Sequence, residues 1–401
     1  METAQTDNVM DNTLHANPAG GAWRVVVIDH HRNQQKGGHG VHLAFTGLPG
    51  VEICAVADSD EPSRLSLQQE TNATRIYADW REMLEREKPH IVCVPSRLPG
   101  QHTEIVTTAA RAGCHIYCEK PLALSLADAD HMIAAADAAN VRLAVAHLGR
   151  HAAVFQTARN MIRAGGIGRP LSVHCRGKED HRGGGEDMLV LGSHLLDLCH
   201  FFFGDPQWVF AHVGVGGRDM LRTDSHEPTE PVGPVAGDDI VALYGFANNV
   251  RATFESRRDL HRAGELFRMG ITITGTEATL AVRYDDERRL RIRKSGRPLE
   301  EGGEFQEIDT PWPDDPPGAT PPLLPRSHSV GASRYYAHCN RRHAALDLLR
   351  AIAENREPLS SGRDARWSLE MIHGVYVSHL AGRAIALPLT DRLHPLASVV
   401  S

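Results

Sequence analysis

The sequence predicts an α/β chain in two parts: an N-terminal doubly wound parallel sheet, then an α+β region with a large open, mainly antiparallel sheet. Two observations carry this reading. Up to about residue 150, short continuous apolar runs alternate with amphipathic stretches, as expected for parallel strands covered by helices on both faces. Beyond that point the runs become alternating or β-branched and are separated by turn residues, as in antiparallel hairpins. A length of 401 residues also suits about two to three cores better than one.

In chain order, strands are expected over 23–28 (WRVVVI), 51–57 (VEICAVA), 90–94 (HIVCV), 115–118 (HIYC) and 142–146 (RLAVA). Helical stretches at 62–70, 79–86, 102–112 and 125–139 lie between them. A helix over 153–164 ends at Gly165-Gly166, and a strand over 171–176 leads through a glycine-rich turn into a long apolar helix over 187–203. Further strands are expected at 208–215, 240–246, 250–256, 267–274, 279–282 and 290–294, with turns at Asn248-Asn249 and Gly275-Thr276. Residues 309–333, rich in Pro, Gly and Ser, read as an extended excursion, and helices over 337–354 and 362–384 close the chain. The resulting division is a disordered polar tail over 1–21, a first domain over 22–148 and a second over 149–401.

Composition excludes several classes of function. A net charge of -7 argues against nucleic acid as a partner, because phosphate neutralisation needs a basic surface. The 41% hydrophobic and 23% charged content is that of a soluble globular protein. No run approaches the roughly 18 apolar residues that cross a bilayer, and the first twenty residues lack a signal-peptide pattern. Seven scattered cysteines, none at the spacing of a zinc knuckle or redox dithiol, suit a reducing, cytoplasmic setting. Histidines 30, 31, 39 and 42 raise a metal reading, but no companion acid stands at ligand spacing, so no metal is expected.

The chemistry is expected at the carboxyl ends of the parallel strands. After the first strand the text runs IDHHRNQQKGGHGVHLAF. Gly37, Gly38 and Gly40 precede an expected helix near Val41 and could bring backbone amides to a pyrophosphate, although Asp29 replaces the usual first glycine. A plain surface loop is the alternative. Asp58, closing the second strand, could hold the ribose hydroxyls of NAD and repel the 2′-phosphate of NADP; otherwise the region serves as a helix N-cap. Pro95 and Glu119, just after the next strands, complete the expected cofactor-binding set, and Lys120 sits at the same crevice. A solvated surface lysine is the bland reading of Lys120. In RGKEDHRGGGEDMLVLGSHLLDLCHFFFG, Asp187, His194 and Asp197 fall on one face of a continuous helix. His194 is either a proton acceptor or a core histidine satisfied by a carbonyl, and Asp197 either orients an imidazole or packs the helix.

Taken together, VEICAVADSD, HTEIVTTAARAGCHIYCEKPLALS, GGIGRPLSV, LGSHLLDLCHFFFG and LEMIHGVYVSHLAGRAIALPL resemble the Gfo/Idh/MocA family over nearly the whole chain. The resemblance implies an N-terminal Rossmann domain that binds NAD, with NADP less favoured, and a C-terminal domain whose sheet pairs subunits into dimers or tetramers. It implies that Lys120 contacts the reacting hydroxyl and that His194 is the catalytic histidine. Many members carry an aspartate four residues before that histidine. Val190 stands there instead, with Asp187, Lys178, Glu179 or Asp180 as its substitutes, and Lys178, Asp180, Asp187 and Asp197 are the expected substrate-binding groups. The implied activity is hydride transfer between NAD and a secondary hydroxyl of a sugar, glycoside or polyol. Two alternatives are glycoside cleavage by transient oxidation on tightly bound NAD, and a catalytically silent ligand-binding protein.

Overall fold

A computed structural model describes residues 20–35, 38–261, 268–283, 289–295, 304–310, 314–321 and 332–397. Most of the expected tail, Gly37 and much of the 309–333 excursion lie outside the described residues.

The first sheet contains β1 (Trp23–Ile28), β2 (Val51–Ala57), β3 (Arg75–Tyr77), β4 (Ile91–Val94), β5 (His115–Cys118) and β6 (Leu143–Val145). All are parallel, in the order β3-β2-β1-β4-β5-β6, so the strand order reverses between β1 and β4. Alternate β1 residues serve two cores: Val26 and Ile28 face one side, Val25 and Val27 the other. Helices α1 (Glu61–Thr71), α2 (Trp80–Glu87), α3 (Pro99–Arg111) and α4 (Leu126–Ala138) connect the strands. Their starts follow capping chemistry, with Asp60 accepting from the Ser63 amide and Ser125 from the Asp128 amide. The helix expected near Val41 is only a 3₁₀ turn, Val41–Leu43. That shortfall would leave one sheet face thinly covered.

The cover comes from far along the chain. After α5 (Ala153–Arg163), helical turn α6 (Gly185–Asp187) and α7 (Ser193–Phe203), helix α8 (Ala332–Ala353) returns to the first sheet. There Ala344, Ala345, Leu348 and Leu349 join Trp23, Val25 and Tyr117 in one core. Arg342 fastens the helix by donating to the Thr46 carbonyl at 2.7 Å. Helix α9 (Gly362–Ala381) packs on the second sheet and on α4 and α7.

The second sheet comprises β7 (Pro170–Arg176), β8 (Trp208–Val215), β9 (Arg218–Asp219), β10 (Asp239–Gly245), β11 (Arg251–Arg257), β12 (Gly270–Gly275), β13 (Thr279–Arg283), β14 (Leu290–Arg293), β15 (Gln306–Ile308) and β16 (Ile385–Ala386). Its path runs β15-β14-β13-β12-β7-β11-β10-β8-β16, with β9 paired to β8. Every pairing is antiparallel except β7 with β11. One face packs on helices; on the other, Phe210 and Val241 are 48% and 41% exposed. Among the described residues no helix is long and apolar enough to cross a membrane.

Candidate active site

Lys120 follows β5 and is almost completely buried, yet its ammonium crosses to the other half of the molecule. There Nζ donates to the Val190 carbonyl at 2.6 Å. Val190 lies in a π-helical turn, Met188–Gly192, immediately before α7. Such widened turns concentrate at functional sites. His194 is the second residue of α7, one turn beyond the carbonyl that receives Lys120, and is half-buried. Burial pushes the His194 imidazole well below its ordinary pKa, and the charges of Lys120, His147 and His39 add to that effect, so it is neutral near pH 7. Burial likewise lowers Lys120 to about 8; Glu119 opposes this, while Arg97 and Arg182 reinforce it. An ammonium poised to exchange its proton thus stands beside an uncharged imidazole.

Glu119 supports Lys120 from below. Its Oε1 accepts the Lys120 amide at 2.8 Å, and its Oε2 lies 3.4 Å from His39 Nδ1. Burial alone would raise this carboxyl, but His39 and Lys120 outweigh it and bring it to about 2. Pro95 directly follows β4 and is buried, and after it Ser96 and Arg97 meet the loop from β1.

That loop departs from a glycine turn. Gln35 Nε2 donates to Asp29 Oδ1 at 2.9 Å and to Ser96 Oγ at 3.3 Å, while its Oε1 accepts the Arg97 amide at 2.9 Å. The side chain therefore spans the ends of β1 and β4, the point of strand reversal. Asp58 is fully buried, with its carboxylate accepting the Arg32 amide at 2.9 Å and the Asp60 amide at 2.8 Å. The N-cap of α1 is Asp60, so Asp58 is free of that duty and instead ties down the β1 loop. A Cβ on Gly38 would touch the Gly40 amide nitrogen at 3.9 Å, an ordinary contact. Gly40, at φ +72°, opens the 3₁₀ turn, and a Cβ there would press on the Arg341 guanidinium.

The expected continuous helix over 187–203 is broken by the π turn, which adds a residue to one turn and rotates the phase. Asp187 and Asp197 consequently point to different places. Asp187 is buried, accepting the Glu179 amide at 3.1 Å and the Ser256 hydroxyl at 2.5 Å, and so shapes the loop before α6. Gly184, at φ +92°, brings this loop so close to Gly237 that a Cβ would sit 2.3 Å from its carbonyl oxygen. Asp197 is held by Arg150 Nε at 3.0 and 2.9 Å and lies 3.3 Å from His147 Nδ1. Lys178 pairs with Asp180 at 3.1 Å, and Asp180 also pairs with Arg182 at 2.8 Å. Glu230 joins Arg182 to Arg97, completing an ion ladder between the two halves beside Lys120.

Sequence reasoning missed His147, Arg150, Gln35 and the Arg97–Glu230–Arg182 ladder. His147 was within reach of the strand-end rule that selected Lys120, because it stands just past β6. Of the four histidines first weighed as metal ligands, His30 and His31 stay together, with ring centroids 3.9 Å apart and His31 3.2 Å from Ser59, whereas His39 meets Glu119 and His42 meets Glu70.

Comparison with known proteins agrees with this architecture. Residues 29–147 match the GFO_IDH_MocA profile, described as an oxidoreductase family with an NAD-binding Rossmann fold. Residues 155–281 match the GFO/IDH/MocA C-terminal domain. The D-apiose dehydrogenase of Paraburkholderia graminis is 28% identical over 377 residues, 90% of each chain. The levoglucosan dehydrogenase of Pseudarthrobacter phenanthrenivorans is 28% identical over 242 residues, 54% of this chain and 60% of that one. Among solved structures, an oxidoreductase domain protein from Kribbella flavida superposes with a TM-score of 0.71 at 25% identity, covering 92% of this chain and 100% of its own. Levoglucosan dehydrogenase in complex with NADH and levoglucosan shares the fold, with a TM-score of 0.70 at 20% identity over 92% of this chain and 100% of that chain.

Proposed function

Because this chain belongs to the GFO/IDH/MocA oxidoreductase family, we propose that it reversibly oxidises a secondary hydroxyl of a sugar, glycoside or polyol with NAD as hydride acceptor. The observation that carries the reading is the bond from Lys120 Nζ to the carbonyl one turn before His194, which brings an ammonium and a neutral imidazole into one cleft. Relatives named as D-apiose and levoglucosan dehydrogenases support the substrate class.

The chain's residues fit NAD. The crevice at the strand reversal is spanned by one flexible amide, Gln35, and the acids Asp58 and Glu119 flank it at the ends of β2 and β5. NAD, held at the ends of β1, β2 and β5 beside Asp58 and Glu119, would supply the hydride acceptor for the carbinol carbon. Lys120 holds the hydroxyl oxygen and offsets its developing negative charge, while His194, uncharged, accepts the hydroxyl proton. The burial of Lys120 and Glu119 keeps water from weakening these charges. Lys178 and Asp180, beside the same cleft, are the groups assigned to the substrate's other hydroxyls. Asp187 and Asp197 act behind it.

Residues 22–148 form the nucleotide domain in this reading and 149–401 the substrate domain, with α8 reaching back to brace the first. The outward row of Phe210 and Val241 pairs two copies of the chain; Phe210→Glu should then give monomers in sedimentation. Seven free, buried thiols support a cytoplasmic location.

The test is NADH formation with levoglucosan, D-apiose and myo-inositol. His194→Asn should lower turnover by about 10²–10⁴-fold with NAD binding nearly intact. Unchanged turnover would remove His194 from the mechanism.

A further inference from the structure

We propose that His147 is a positioning residue for His194, holding its imidazole in one orientation and tautomer and linking it to the buried Asp197–Arg150 pair. This rests on His194 being the proton acceptor of the reading above. His147 comes from the end of β6, whereas His194 and Asp197 stand three residues apart on α7, so the contact joins the two halves of the molecule. The rings of His147 and His194 meet edge to face, with centroids 5.9 Å apart and planes at 81°.

Several observations set His147 apart from a space-filling residue. It is 1% exposed, and neither ring nitrogen has a hydrogen-bond partner among the described residues, although Nδ1 lies 3.3 Å from Asp197 Oδ1. Burying an imidazole in this way costs free energy that a phenyl ring of similar volume would not. Asp197 is in turn fixed by Arg150, which is anchored to Asp364 at 3.0 Å and to the Leu359 carbonyl at 3.0 Å.

The charge pattern gives this arrangement a task. Lys120, just after β5, faces both His147 and His194, Glu119 faces His147, His39 faces His194 from the β1 loop, and Asp197 and Arg150 face His147 from behind. Val190 puts a carbonyl, not a carboxylate, on Lys120. The carboxylate that α7 does carry near His194 is Asp197, and His147 stands between them. A proton on Nδ1, the nitrogen nearer Asp197, would leave the Nε2 lone pair of His147 open. A small turn of the edge-to-face rings would let an N–H of His194 donate to that lone pair, and the opposite nitrogen of His194 would then be the one to take the substrate proton. The same contact stabilises the imidazolium once the proton arrives.

Two variants of the full chain test this: His147→Phe, which keeps the ring, and His147→Asn, which keeps a hydrogen-bonding group. Turnover is followed with NAD⁺ and levoglucosan, D-apiose or myo-inositol. Separately, nitrogen-15 NMR of labelled histidine reads the His194 tautomer without substrate, its signals assigned by their loss in His194→Asn. His147→Phe should lower kcat roughly 10- to 100-fold, the size found for outer partners that orient metal-bound histidines. KM should stay within about twofold, thermal stability should hold, and the single His194 tautomer should become a mixture. His147→Asn should recover part of the loss. An unchanged kcat together with an unchanged tautomer in His147→Phe overturns the proposal. If His194→Asn itself turns over normally, the functional reading fails, while the tautomer measurement still judges His147.

Discussion

Replacing Gln35 with alanine should tighten NAD binding. The Gln35 amide makes three hydrogen bonds across the strand reversal, to Asp29 at 2.9 Å, Ser96 at 3.3 Å and the Arg97 amide at 2.9 Å. A dinucleotide crossing the ends of β1 and β4 needs that space, so its binding must first break these bonds. At about 0.5–1.5 kcal/mol net for each bond, the set holds the loop closed by roughly 1.5–4.5 kcal/mol. Each 1.4 kcal/mol or so corresponds to a factor of about ten in affinity. Water would replace part of what Asp29 and Ser96 lose in the variant, so the lower end applies, a gain of roughly tenfold. Titration calorimetry of wild type and Gln35→Ala with NAD⁺ measures it. An unchanged Kd would show that Gln35 lies off the cofactor's path, and a weaker one that Gln35 itself holds the cofactor; either result refutes the reasoning.

Two further substitutions probe the buried charges. Lys120→Met should abolish turnover and yet stabilise the fold. The displacement of Lys120 from its ordinary 10.5 to about 8 is already net of its attraction to Glu119 and corresponds to roughly 3 kcal/mol of unfavourable burial, and the loss of its bond to the Val190 carbonyl reduces the gain to about 1–2 kcal/mol. Because the unfolded chain binds this proton more tightly, wild-type stability rises between pH 8 and 10.5. Urea unfolding should therefore show the advantage of Lys120→Met shrinking over that range, and a constant difference would contradict it. Asp197→Asn should cost about 3 kcal/mol in the same assay at pH 7, because the buried Arg150 keeps only Asp364 as a carboxylate partner. The arginine holds the Asp197 carboxyl below its ordinary range against the effect of burial, so this contribution is present above about pH 4 and fades as the pH falls through the lowered value. A loss under about 1 kcal/mol would mean that Asp364 alone compensates Arg150.

The parallel half was legible in five of its six strands, because each of those is a short apolar run closed by a turn residue, whereas the edge strand β3 (RIY) is not and was not expected; strand ends locate a crevice without any knowledge of contacts. Lys120 was found that way. The second sheet was legible from alternation in β8, β10 and β11, where Val209, Ala211, Ile240 and Ala242 turn inward. Three things were not legible. Periodicity says that a face is buried but not against what, so the packing of Leu348 and Leu349 on Trp23 and Val25 could not be read from either segment. The π turn at Met188–Gly192 changes helical phase without a local marker such as proline, which is why Asp187 and Asp197 were placed on one face and lie apart. The β1 loop is stabilised by side-chain bonds from Gln35 and Asp58 to residues distant in sequence, and loop composition carries no record of those partners.

The central claim is that one substrate hydroxyl is shared between the two halves of the molecule. Crystals grown with NADH and soaked with levoglucosan test it most directly. A ring hydroxyl should lie within hydrogen-bonding distance of both Lys120 Nζ and a His194 ring nitrogen, with its carbon facing the nicotinamide. A sugar bound out of reach of either side chain would contradict it.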